Sequence, residues 1–168
     1  YLEIWNLKNP DRKQEPIFRA NMGGTIYFKV NDYTPYCPNK IYEETDKYII
    51  YKVNPVHSIV KRYSVNVILK QPFSIREIAE ISLEIKEKIK NVEVYQNEKA
   101  ENHFAGRDAN IIWIFFGMDE DDMINTRFIC RTTWVDDNQD KNYWYKVNNK
   151  TSFIINSIHY EIFSYYET

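Results

Sequence analysis

Glycine is scarce in this chain: four residues in 168, two of them adjacent at Gly23-Gly24. Phosphate-cradling loops place several glycines between a strand and a helix so that backbone N–H groups converge on the ligand. Gly23-Gly24 precedes a strand-like stretch instead, which removes nucleotide-binding loops of that kind. Cysteine is rarer still. Cys37 and Cys130 lie far apart in sequence, so no disulfide framework is indicated and a reducing cytoplasm is the expected compartment. His57, His103 and His159 are too widely separated from one another, and from the cysteines, to form a zinc spacing. No basic run exceeds Lys61-Arg62, the net charge is −2 and the pI is about 6.0. A phosphate-binding patch is therefore not visible, and nucleic acid is not an expected partner. No stretch approaches the roughly 20 apolar residues that span a bilayer, so no membrane partner is expected.

What the chain does have is aromatic surface. Aromatics make up 16% of it, with 14 Tyr, 9 Phe and 4 Trp. Tyrosine suits strands, but so many hydroxyls cannot all be buried and satisfied, and half-exposed Tyr and Trp are good recognition groups. The abundance of Ile, Asn, Lys and Tyr resembles translation from an AT-rich genome, pointing to a bacterium or phage. Opening on Tyr1, the chain reads as an excised or trimmed domain of a larger protein.

The clearest local signal is a helix over about 74–90. Ser74 and Glu77 form a capping box, Ile75, Ile78, Ile81, Ile85 and Ile89 recur at helical spacing, and Lys86, Lys88 and Lys90 complement the C-terminal dipole before Asn91. Strand alternation marks 25–30, 47–53, 64–70 and 127–135. Residues 92–95 read as a short strand, 96–109 as a polar surface loop and 143–147 as a strand after the 136–142 turn. Residues 153–166 read as one long strand or two, broken at Asn156-Ser157. Ile111 to Phe116 carries no polar residue on either face, so it should be a central strand covered twice. One cover is the helix; the other is the N-terminal β region or a partner chain, which leaves room for self-association. The expected fold is α+β: a mostly antiparallel twisted sheet with one long amphipathic helix packed on it, plus an N-terminal β-rich extension. It reads as a single domain over 1–168, with a candidate β sub-domain over 1–57 and a core over 58–168.

Chemical constellations are thin. Asp119, Glu120, Asp121 and Asp122 are the sharpest cluster, but an EF-hand counted from Asp119 fails at Met123 and at Ile124, where glycine is required. The cluster reads as a mobile, solvated loop over 117–126, able to present carboxylates to a partner. A second acidic group, Asp136, Asp137 and Asp140, should lie at the other end of a strand, ~25–30 Å away, too far for a shared two-metal site. Glu84-Ile85-Lys86 matches half of a nuclease motif but falls inside the helix, where positions i and i+2 diverge. His103, Arg107 and Asp108, in the loop before the central strand, form the one grouping suited to acid–base work. His159 and Glu161 should share an exposed strand face. Cys130 reads as a buried inert thiol, and Cys37 as a loop residue without a base. Asn149-Lys150-Thr151 matches a glycosylation acceptor only as chance allows.

These readings favour a non-catalytic recognition domain of a larger bacterial or phage assembly, binding a protein or small ligand through aromatics and Asp119–Asp122, with no metal and no cofactor. The alternative is a metal-dependent phosphodiesterase or nuclease whose carboxylates converge only in the fold. A sheet that stacks bases on aromatics is a third option, short of the basic groove that stacking ordinarily accompanies.

Overall fold

The computed structural model describes residues 2–4, 18–20, 41–145 and 152–163. The chain divides into two compact units, Tyr1–Asn39 and Lys40–Thr168. In the first, β1 (Leu2–Ile4) pairs antiparallel with β2 (Phe18–Ala20). The strand expected over 25–30, the loop after it and Cys37 lie outside the described residues.

The second unit is α+β, built on a seven-stranded sheet in the order β3-β4-β5-β6-β7-β9-β8. The strands are β3 (Glu43–Glu44), β4 (Tyr48–Pro55), β5 (Arg62–Leu69), β6 (Ile111–Gly117), β7 (Cys130–Val135), β8 (Ser152–Ile155) and β9 (Ile158–Ile162). Every pairing is antiparallel except β5 with β6. That parallel pair requires a crossover, and the long connection holds the main helix, α1 (Ile75–Ile89). The Ser74–Glu77 capping box is formed in both directions. Ile78, Ile81, Ile85 and Ile89 are buried, whereas Ile75 is exposed. The stripe thus starts one turn later than its spacing suggests.

α1 packs on β6, β7 and β9. Its isoleucines meet Val65, Val67 and Leu69 from β5, Ile112, Ile114 and Phe116 from β6, and Cys130 and Tyr160 from β7 and β9. Inside this layer the Ser82 hydroxyl lies 2.8 Å from that of Thr132 and donates to the Ile78 carbonyl, so both buried polar groups are partnered. On β4, Tyr48 and Ile50 enter the α1-side core. A bulge between Ile50 and Lys52 then returns Val53 to the core side.

Several loops and strands of the sequence reading are helices instead. The four helices of the described residues are α1, α2 (Glu98–Phe104), α3 (Glu120–Asn125) and α4 (Lys141–Trp144). Residues 92–95 form no strand, and the supposed polar loop over 96–109 holds α2, with Ala100, Phe104 and Ala109 buried. The segment expected as a strand from 143 instead begins in α4, capped by Asp140. The meander therefore ends after β7, whose next neighbour is β9. Asn156 and Ser157, with φ of 50° and 64°, make the two-residue turn of the β8–β9 hairpin. Positive φ at both central residues is what that tight turn demands.

Candidate functional site

Because side chains alternate along a strand, the registers define the sheet face turned away from α1. Across its middle run two rows: Lys52, Asn66, Phe115, Arg131 and Glu161, then Asn54, Ser64, Trp113, Thr133, His159 and Ile154. Trp113 and Phe115 thus project from the central strand on one side, and both remain half-buried. Among the described residues the cover comes from α3 at one end and from Trp144 and Tyr145 at the other, the latter reaching His159. α3 packs on β5 and β6 at Gly117, where an added Cβ would sit 2.5 Å from Met123 Cε and 2.8 Å from Asp122 Cβ. At the other end, Tyr145 with half-buried Trp144 closes over Ile111 and Val135. Among the described residues no helix crosses the middle.

Two arginines lie on the aromatics. The Arg62 guanidinium carbon is 5.1 Å from the Trp113 ring centre and 5.6 Å from that of Trp144, and its Nε donates to the Val56 carbonyl at 2.9 Å. Burial draws its proton affinity below the ordinary arginine value, against the opposing pull of Tyr143. Among the described residues no carboxylate pairs with Arg62. Arg131 lies 5.9 Å from the Phe115 ring centre and donates to Glu161, while Phe115 also packs on Phe128 at 5.0 Å. Trp, Tyr and Arg are the side chains that most often dominate binding energies, since they combine large area with directed polar contacts. Exposed Tyr143 sits edge-on to Trp144 and extends this surface.

The acidic cluster is differently made than its sequence implies. It is no open loop. Asp119 caps α3 by accepting the Asp122 N–H at 2.9 Å, and Asp122 is buried, accepting the Met118 N–H at 2.8 Å. Asp121 pairs with Arg127 and accepts from Asn125. Asp119, Glu120 and Asp121 are exposed, and of these Glu120 and Asp121 do not cap the helix. Asp136, Asp137 and Asp140 follow β7 at the opposite end of the sheet, as the β6–β7 register requires.

His103 is exposed on α2 and borders an open cleft of about 540 Å³ that is also lined by His57, Lys99 and Phe104. Arg107 and Asp108 do not line it; both are exposed, and the Arg107 carbonyl accepts from Lys61. The three residues are not gathered into one cleft. His57, buried in the cleft wall, has both ring nitrogens in use: Nδ1 accepts the Arg62 N–H at 3.0 Å, and Nε2 donates to the Val94 carbonyl at 2.9 Å. Burial holds it below the ordinary histidine value, so it is a neutral strut and not a free base. Lys61, fully buried, ties β5 to the 92–108 segment through Glu93 and the Arg107 carbonyl.

His159 was expected on an exposed face beside Glu161. It is buried, stacked at 5.3 Å on Tyr145, the residue that follows α4. Glu161 serves Arg131 instead. The Cys130 thiol is buried on the α1 side and pushed up to about 12 by that burial, which makes it inert.

Among the described residues no group of three or more His, Cys, Asp and Glu side chains is placed to hold a metal ion. None of their helices is long and apolar enough to cross a membrane. No family model, curated protein or solved structure matches the chain. The sequence reading missed Arg62, Arg131, Trp113 and Phe115 as a group, since their meeting depends on the registers of three strands.

Proposed function

We propose that this is a non-catalytic recognition domain, acting within a larger bacterial or phage assembly, whose binding surface is the sheet face opposite α1. One observation carries the reading: Trp113 and Phe115 stand half-exposed on the central strand, with arginines laid against them and, among the described residues, no helix over them. A domain of this size ordinarily packs a second layer on such a face, so a sheet left aromatic and half-open is suited to a partner. The exposed carboxylates of Glu120 and Asp121 border it, which keeps the acidic cluster in the reading as a rim. The alternative, a metal-dependent phosphodiesterase, draws no ligand set from the described residues.

The test is affinity capture from the source organism with the wild-type protein, Phe115→Ala and, as a control on α2, Lys99→Ala. Partners should be held by wild type and by Lys99→Ala, and lost by a folded Phe115→Ala. Mn²⁺- or Mg²⁺-dependent hydrolysis of bis-p-nitrophenyl phosphate by the wild type would overturn the reading in favour of the enzyme.

A further inference from the structure

Arg62 is the unusual group on this face. Its guanidinium lies against the rings of both Trp113 and Trp144, and its Nε donates to the Val56 carbonyl. Among the described residues neither terminal nitrogen has an acceptor, so the outer edge of the fork is unused. Other cations are paired: Arg131 on β7 has Glu161, Lys61 just before β5 has Glu93, and Lys88 on α1 has Glu43 and Glu84. A half-buried arginine that is immobilised, desolvated and unpaired is pre-organised for an oxyanion, because the ordering cost of a long side chain is already met in the free protein.

The surroundings say which oxyanion. Lys52 and Arg131 stand in one row across the middle of the face, with Glu161 beside Arg131, and Arg62 lies two rows away toward Tyr145. Both ends are acidic, with Glu120 and Asp121 on α3 and Asp136, Asp137 and Asp140 beyond β7. A nucleic-acid strand long enough to cross the face would bring phosphates against carboxylates at each end. A polypeptide can alternate its charges. Resting on the recognition reading above, we infer that Arg62 is the anchor for an aspartate or glutamate side chain of a protein partner, seated between Trp113, Trp144 and Tyr143, with basic residues of the partner on either side.

Selection of a phage-displayed random dodecapeptide library tests this on four immobilised proteins: wild type, Arg62→Gln, Arg62→Lys and Trp113→Ala, each first shown to melt cooperatively. The wild type should enrich peptides with a central Asp or Glu flanked by Lys or Arg. Synthesised, these should bind Arg62→Gln at least ~10-fold more weakly, and Arg62→Lys nearly as weakly, because lysine keeps the charge but loses the fork. Peptides without a carboxylate that bind Arg62→Gln as well as wild type, yet fail on Trp113→Ala, would overturn the anchor and leave the recognition face standing. Peptides indifferent to Trp113, or none at all, would overturn both. Retention of a 16-residue oligothymidylate, tighter than any peptide and lost on Arg62→Gln, would replace the protein partner by a phosphate strand.

Discussion

The two faces of the same sheet are built by opposite rules. On the α1 side, Ile112, Ile114 and Phe116 of β6 are fully buried, and the buried hydroxyls of Ser82 and Thr132 bond to each other. On the other side, Trp113 and Phe115, the residues in between, lie under arginines and remain in partial contact with water. One face removes apolar surface from water completely and so holds the fold; the other keeps large, stiff side chains available. Both faces belong to the same seven residues of β6. Apolarity in sequence therefore does not distinguish a residue that stabilises from one that recognises, and only the layer above it does.

Adjacent substitutions break this comparison most sharply. Phe116→Asp places an unpaired carboxylate in the dry layer and should cost about 4 kcal/mol or more, abolishing a cooperative melt. Phe115→Asp, one residue earlier, lies beside Arg131 and water and should cost about 1–2 kcal/mol while leaving a folded domain. Thermal melts with near-UV circular dichroism decide it. Equal collapse of both variants would mean that the two faces are equally closed.

A smaller effect sharpens the comparison where the second face closes at its edge. Burial, the largest influence on both, lowers His57 and His159 from their ordinary values. Each is neutral in the folded state, so the unfolded chain binds a proton first as pH drops below about 6.5. Stability contributed by keeping these rings neutral is complete above that pH and falls on acidification, until the folded-state values are reached. The slope is at most about 1.4 kcal/mol per pH unit for each histidine. Urea melts between pH 8 and 5 should show the decline, His159→Phe should flatten part of it, and His103→Gln, on an exposed residue, should leave it intact. An unchanged slope in His159→Phe would place that ring in water, with the second face open there too.

How much was legible follows from the same division. The α1 helix could be read because its cap, its stripe and its basic last turn all agree over 15 residues. β6 could be read as central because both its faces are apolar. The short helices could not: α2, α3 and α4 span seven, six and four residues, too few for periodicity to appear. Their Asn97, Asp119 and Asp140 caps resemble ordinary turn residues, and polar composition made α2 and α3 look like loops and α4 like a turn running into a strand. The bulge that shifts β4 leaves no mark in its Ile-Ile-Tyr run either. The site was the least legible part. Arg62 and Arg131 sit 69 residues apart and come together on either side of β6 only through one parallel and one antiparallel register.

The smallest effect separates the acidic residues from one another. Taken as a mobile loop, Asp119 to Asp122 would tolerate any neutral replacement. As the start of α3, the four divide by what they hold. Asp119→Ala removes the cap on the Asp122 N–H and should cost about 1 kcal/mol. Asp122→Ala orphans the Met118 N–H at the place where α3 rests on Gly117, and should cost about 1–2 kcal/mol. Glu120→Gln with Asp121→Asn changes two exposed groups. Exposed ion pairs such as Asp121 with Arg127 contribute little, so that double variant should stay within about 0.5 kcal/mol of wild type. Chemical denaturation of the three variants measures the order directly. If the exposed pair proved as costly as the buried one, α3 would be held by its charges and not by its cap and its seat on Gly117, and this end of the recognition face would be expected to loosen as salt is raised.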